Sequence, residues 1–289
     1  MTAIQTSARR RELGDELRTA REAAGVSGMK LAAMLGWSNS KLSRVERGLN
    51  RCTGTEAAIL LGYLRAKPET VERIVRLCED DRPGPWVQPA SNRVSDQLRT
   101  LIMHETTATL IYCLEINRVP GLLQTEEYAR SMIRGTGLVP EDGIEPRVAG
   151  RLARQSLVRG PDSPTFVFYL HEHALRLPIG GPAAMHEQLL QLLLTSSQDG
   201  CAVRVIPESL GPHAGMGGPF TYMQFADHDP VVYVETQNRC LFLEQPGDIA
   251  SYRLVLGKLG EQALSARDSR FILSEYADYY DKLEAGNGD

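Results

Sequence analysis

The sequence predicts a multidomain chain: an all-α domain of five short helices, then an α+β domain with a small, mostly antiparallel sheet. Three observations predict it. Apolar residues recur at helical spacing from Arg9 to about Asp80, broken by glycines at short intervals. Three prolines crowd the stretch DDRPGPWVQPAS, which discourages regular structure there. Beyond it the apolar period switches between helical and alternating. The boundaries that follow are a helical domain over 9–82, a linker over 83–93 and an α+β domain over 94–285. A length of 289 residues, 42% of them apolar, is ample for two domains of ordinary size.

The first helix is predicted from Arg9, with Leu13, Leu17, Ala20 and Ala24 on one face and Gly25 as its stop. Ser27 caps the second, whose inward positions are Leu31, Ala32 and Leu35. Gly36 ends it, and Ser38 caps a third helix with Leu42 and Val45 turned inward. A loop over 48–54 leads to a mostly apolar fourth helix, 55–64. Pro68 opens the fifth, with Val71, Ile74, Val75 and Cys78 on one face.

In the second domain, 94–113 reads as a helix with a β-rich end. A Pro-Gly turn at 120–121 leads to a helix over 125–134, and another spans 145–159. FVFYL (166–170) is a strand, 183–195 a helix and AVRVI (202–206) a strand. FTYMQF and VVYVE alternate around the turn-like ADHDP and predict a hairpin. CLFLE (240–244) is expected as an edge strand, and 249–264 and 269–283 as closing helices.

Charge divides along the same line. Residues 1–67 hold 12 Lys+Arg against 6 Asp+Glu, and the remainder 20 against 30. A cationic end on an anionic body predicts that a polyanion is met by the N-terminal part alone. Five scattered cysteines with no CxxC pattern read as reduced thiols, and neither a signal peptide nor a membrane-length apolar run is visible. A soluble cytoplasmic protein is expected.

GMKLAAMLGWSNSKLSRVERG, residues 28–48, carries the chemistry. Two helices joined by a tight turn need a small residue at their contact and a residue tolerant of positive φ at the bend. Ala32 and Gly36 occupy those offsets. A plain helical hairpin shares the apolar spacing but does not require the short, polar outer face of the second helix. This is the helix-turn-helix pattern, whose second helix enters the DNA major groove. Asn39, Ser40 and Lys41 fall in its first turn and are the predicted base readers: Asn pairs both its groups with an adenine edge, and Lys reaches guanine. Arg44, one turn on, is assigned to a base or, preferably, a phosphate. Lys30, Ser38, Ser43, Arg47 and Arg51 are the phosphate candidates, which position the domain without reading sequence. Glu46 is expected to pair with an arginine of the first helix.

LAAMLGWS and SNSKLSRVERG resemble the signature of the Xre/lambda-repressor-like helix-turn-helix family. The resemblance implies a five-helix DNA-binding domain of a transcriptional regulator, acting on double-stranded DNA as a homodimer. Gly28 replaces the glutamine common at the start of helix two, and the usual proline after helix three is absent from Asn50-Arg51-Cys52-Thr53. The rest of the chain resembles the C-terminal domain of actinobacterial regulators of the Scr1/WhiJ-like (DUF5753) type. The matching words are VPGLLQTEEYAR, RLARQ, EHALRLPIGG, VRVIP, GGPFTYMQF and VVYVE. That likeness implies a small protein partner encoded nearby but supplies no mechanism; the second domain is expected to dimerise, to sense an unknown small-molecule effector or to receive that partner. The likeness also leaves an alternative function, an antitoxin-like module that captures such a partner.

No catalytic residues, cofactor or metal ligands are assigned. His171-Glu172-His173 is the one tempting cluster, with His213 or His228 as a third ligand. It lacks HExxH spacing, and His171 stands where the likeness has Asp, so structural histidines are expected. GPHAGMGG precedes a strand and has no Lys-Ser/Thr after it, so it is read as a flap and not a phosphate loop. Leu122 and Leu123 are expected to plug a core, with Gln124 or Thr125 capping the next helix.

Overall fold

The computed structural model describes residues 6–79, 86–89, 96–160, 163–237 and 239–286. Two compact units emerge. One is built on the chain up to Val87 together with Asp227–Val231 and Phe242–Gln245, and the other on the remainder.

The first unit holds five helices among the described residues: α1 (Ala8–Ala23), α2 (Gly28–Leu35), α3 (Asn39–Glu46), α4 (Gly54–Tyr63) and α5 (Pro68–Glu79). Each of the first four starts on a hydroxyl cap. Ser7, Ser27, Ser38 and Thr53 accept from a backbone N–H three residues on, satisfying donors that a helix start leaves orphaned. Thr53 and Glu56 complete a reciprocal capping box on α4. Of the positions predicted inward, Leu13, Leu17, Leu31, Ala32, Leu42, Val45 and Ile74 form the core with Leu60 and Leu61, whereas Ala24 caps the end of α1 and is exposed. Gly14 permits the closest approach in it. A Cβ there would lie 2.6 Å from the carbonyl oxygen of Glu46, so α1 rests directly on the backbone at the end of α3.

The linker predicted over 83–93 lies largely outside the described residues. Within it Trp86–Pro89 forms strand β1. There follow α6 (Asp96–Thr107), β2 (Leu110–Glu115), α7 (Glu126–Gly135), α8 (Ile144–Arg154), α9 (Ser156–Arg159), β3 (Thr165–His171), α10 (His173–Arg176), α11 (Gly181–Ser196) and β4 (Cys201–Ile206). The chain closes with β5 (Phe220–Gln224), β6 (Val231–Glu235), β7 (Arg239–Leu243), α12 (Pro246–Gln262) and α13 (Ala266–Gly286).

The sheet corrects the expectation of a small, mostly antiparallel one. It has seven strands in the order β1-β7-β6-β5-β2-β3-β4. β2, β3 and β4 run parallel, and β5 lies antiparallel to β2. Parallel neighbours need a crossover, and α7–α9 and α11 supply the two. β7, expected at an edge, has β1 on its outer side. FVFYL is an unbroken apolar run because β3 sits between two strands and buries most of both its faces. On one face Ile111, Phe166, Phe168, Val203 and Val205 form a continuous buried layer. On the other, Tyr112 stacks on Tyr169 at 6.5 Å, and the Arg204 guanidinium lies 5.7 Å from the Tyr169 ring. α11 packs along α13, and both lie on β4.

Candidate nucleic-acid interface

Gly36 makes the bend between α2 and α3. It adopts φ 65° and ψ 25°, the left-handed region. Its N–H bonds the Ala33 carbonyl at 3.2 Å and the Trp37 N–H bonds that of Ala32 at 2.9 Å, which closes the end of α2. Ser38 then caps α3 by accepting the Lys41 N–H at 3.1 Å. The apolar side of α3, Leu42 and Val45, is buried, so its opposite side must face out.

On that outer side Asn39, Ser40, Ser43, Arg44 and Arg47 are exposed, as are Ser38 at the cap and Lys30 on α2. Arg51 is exposed in the loop after α3. The nine residues singled out from the sequence thus lie on α2, α3 and the loop that follows. Arg44 is steadied by Asn50, whose Oδ1 accepts from its Nε at 2.9 Å.

Lys41, expected to reach a base edge, is drawn elsewhere. Its Nζ pairs with Glu56 at 2.7 Å and sits 4.0 Å from the Trp37 ring centroid. That ion pair is the first cause holding the Glu56 carboxyl below the ordinary range, the Thr53 backbone N–H the second. Glu56 therefore ties α3 to the start of α4 and completes the α4 capping box at once. Neither tie was visible beforehand, because nothing in the sequence marks a contact between positions 41 and 56. Glu46 takes the expected partner: the Arg21 guanidinium grips it through Nε at 2.6 Å and Nη2 at 3.1 Å, a two-pronged link from α1 to the end of α3.

Residues 12–81 match the family model described as a helix-turn-helix domain. Residues 98–275 match the model described as a domain of unknown function, DUF5753. The chain belongs to the DUF5753 family. A search of curated proteins finds no match to it. The helix-turn-helix geometry of this DUF5753 protein thus agrees with an independent sequence match over the same helices.

The family match covers all six words noted earlier, and the structure brings two of them together. Gln124, from VPGLLQT, is 1% exposed. Its amide donates to the Val119 carbonyl at 2.7 Å and accepts from Arg151 Nη1 at 2.6 Å, while Gln155 donates to its backbone carbonyl. Arg151 and Gln155 are the ends of RLARQ. Leu122 and Leu123 are buried as expected, and Thr125 is the residue that caps α7. Gln188 of α11 bonds both the Thr125 N–H and the Leu123 carbonyl, each at 2.8 Å.

The histidine cluster takes a different form from a metal centre. β3 ends at His171, and His173 already belongs to α10, so the two do not share a strand face. His171 instead stacks on His213, ring centroids 5.2 Å apart. Among the described residues no three His, Cys, Asp or Glu side chains gather as a metal set. The loop read as a flap is pinned: Ala214 donates to Gln262 at 3.1 Å, and a Cβ on Gly215 would press on Leu114 at 2.8 Å. No helix among the described residues is long and apolar enough to cross a membrane.

Proposed function

We propose that the chain is a sequence-specific DNA-binding transcriptional regulator. The observation that carries this reading is the outward face of α3, capped, polar and solvent-facing, behind a left-handed glycine bend. Asn39 and Ser40 read base edges in the major groove. Arg44, oriented by Asn50, takes a base or an adjacent phosphate, and Lys30, Ser38, Ser43, Arg47 and Arg51 hold the phosphate backbone. Lys41 positions the helix: its bond to Glu56 fixes the angle between α3 and α4, and any base contact by Lys41 first requires leaving that carboxylate. The molecule acts as a homodimer on two half-sites. The DUF5753 domain serves dimerisation, effector sensing or partner binding, and we assign it no catalysis.

The test is binding of the full chain to fragmented genomic DNA across a salt series. Affinity should fall steeply with salt, because each phosphate contact releases counterions. Replacing Asn39, Ser40 and Arg44 together by Ala should abolish selective recovery, with weak salt-sensitive binding remaining. Selective, salt-insensitive recovery by that triple variant would remove the reading.

A further inference from the structure

Cys52 and Cys78 stand 26 positions apart in the sequence and meet in space. Cys52 lies in the loop between α3 and α4, is 2% exposed, and its Sγ contacts the Thr53 carbonyl at 3.7 Å. Cys78, in the last turn of α5, is partly exposed and donates to the Ile74 carbonyl at 3.4 Å. Both belong to one packed cluster, Cys52 in its buried part and Cys78 packed against it. Both line one small cleft with Arg9, Arg10 and Arg51. The start of α4, two residues past Cys52, lies in contact with α5: a Cβ on Gly54 would be 3.9 Å from the Cys78 Cβ.

We propose that Cys52 and Cys78 are an oxidation site, a dithiol that a peroxide converts reversibly to a disulfide, and that this cross-link weakens DNA binding. The chemistry is balanced in two steps. One thiol attacks the peroxide O–O bond, giving a sulfenic acid and releasing water or an alcohol. The second thiol then attacks that sulfur, forming the S–S bond and expelling the hydroxyl as water. Two thiols lose two electrons and the peroxide gains them. Cys78 meets the oxidant first because it is nearer solvent. Cys52, held above the ordinary thiol range by the neighbouring Cys78 and then by burial, is the resolving partner.

The consequence for DNA rests on the regulator reading. The loop that would be drawn onto α5 carries Arg51, a phosphate candidate, and Asn50, which orients Arg44. A disulfide fixes its sulfurs at about 2.05 Å with a dihedral near 90°. Reaching that geometry pulls the loop, and with it Arg51 and the Asn50 support of Arg44, away from the α3 face.

The test uses the full chain, reduced and then titrated with hydrogen peroxide. Non-reducing peptide mapping should show the tryptic peptide beginning at Cys52 joined to the one containing Cys78, with a mass loss of about 2 Da that dithiothreitol reverses. Cys78→Ser, at the partly exposed position, should abolish that peptide, as should Cys52→Ala. Absence of the joined peptide in the parent, or bridging through Cys113, Cys201 or Cys240 in its place, overturns the site. Binding to a fragmented genomic DNA pool is measured on the same samples. Several-fold weaker binding after oxidation, restored by dithiothreitol and absent in Cys78→Ser, supports the whole proposal. A joined peptide with equal binding before and after overturns the effect on DNA. If the reduced parent binds no DNA at all, the regulator reading fails while the joined peptide still establishes the oxidation site.

Discussion

Gly14 does more for the exposed face of α3 than its position suggests. It lies on α1, far in sequence from the exposed face of α3, yet the backbone of Val45 and Glu46 rests on it. Any side chain there separates the two helices or tilts α3. Gly14→Ala should therefore lower stability by about 2 kcal/mol, the usual cost of forcing a methyl into a filled contact. Urea unfolding of the full chain followed by helix ellipticity measures it, and an unchanged first transition would contradict the packing. Nothing at the sequence level announced this residue, because Gly14 interrupts a helix without ending it. The bends at Gly25 and Gly36 were legible because each closes an apolar period and precedes a serine cap. The Lys41–Glu56 pair was hidden for a related reason. A lysine on an outward helix face reads as free until a carboxylate from another helix is placed beside it, and sequence spacing does not place one.

At the level of single elements, the loop after β4 offers a pH test. His171 and His213 each accept a backbone N–H on Nδ1, from His173 and Gly215, both at 3.1 Å. Both rings are pushed below the ordinary imidazole range, His171 by burial and then by His173, His213 by burial and then by His171. Glu208 and Glu172 oppose the shift at His171 without reversing it. The unfolded loop therefore binds more protons than the packed one just below about pH 6.5, the free imidazole value. The hold on the loop is full above that value and weakens as pH falls through the lowered folded values. Amide exchange at Ala214 and Gly215, corrected for its intrinsic rate, should quicken between pH 7 and 5 in the parent and lose that dependence when His171 and His213 are both replaced by Asn. Equal protection across the range would sink the account. The strands and helices themselves were largely readable. The two runs predicted as a hairpin are the neighbouring strands β5 and β6, and α7 is capped by the threonine expected to do so. The parallel half of the sheet was not readable, since β2 merges in sequence with the helix before it and no local signal says which strand it will join.

For the molecule as a whole, the size of α3 sets an expectation of stoichiometry. Eight residues make a helix of about 12 Å, enough to meet only a few base pairs in one groove. Selective binding in a genome needs more, which a second copy supplies with a half-site one helical turn away. Sedimentation of the chain with a recovered duplex should give two chains per duplex. One chain per duplex at saturation would show that α3 and its flanking cations suffice alone. The uneven charge was legible from composition, and it fits a molecule whose cationic part approaches the duplex while the acidic remainder is repelled.

The pairing of β2 with β5 has a consequence for how the polypeptide is made. The Thr109 hydroxyl and Gln224 carbonyl that bond at its start lie 115 residues apart. At roughly 5–20 residues per second, a ribosome needs on the order of 6–23 seconds to deliver the second partner after the first. The five helices of the first unit all precede β2 in the chain, so they are delivered before that interval begins. Throughout it, the apolar flank of β2 is bare in the nascent chain, and this is the period in which chaperone capture or premature association would act.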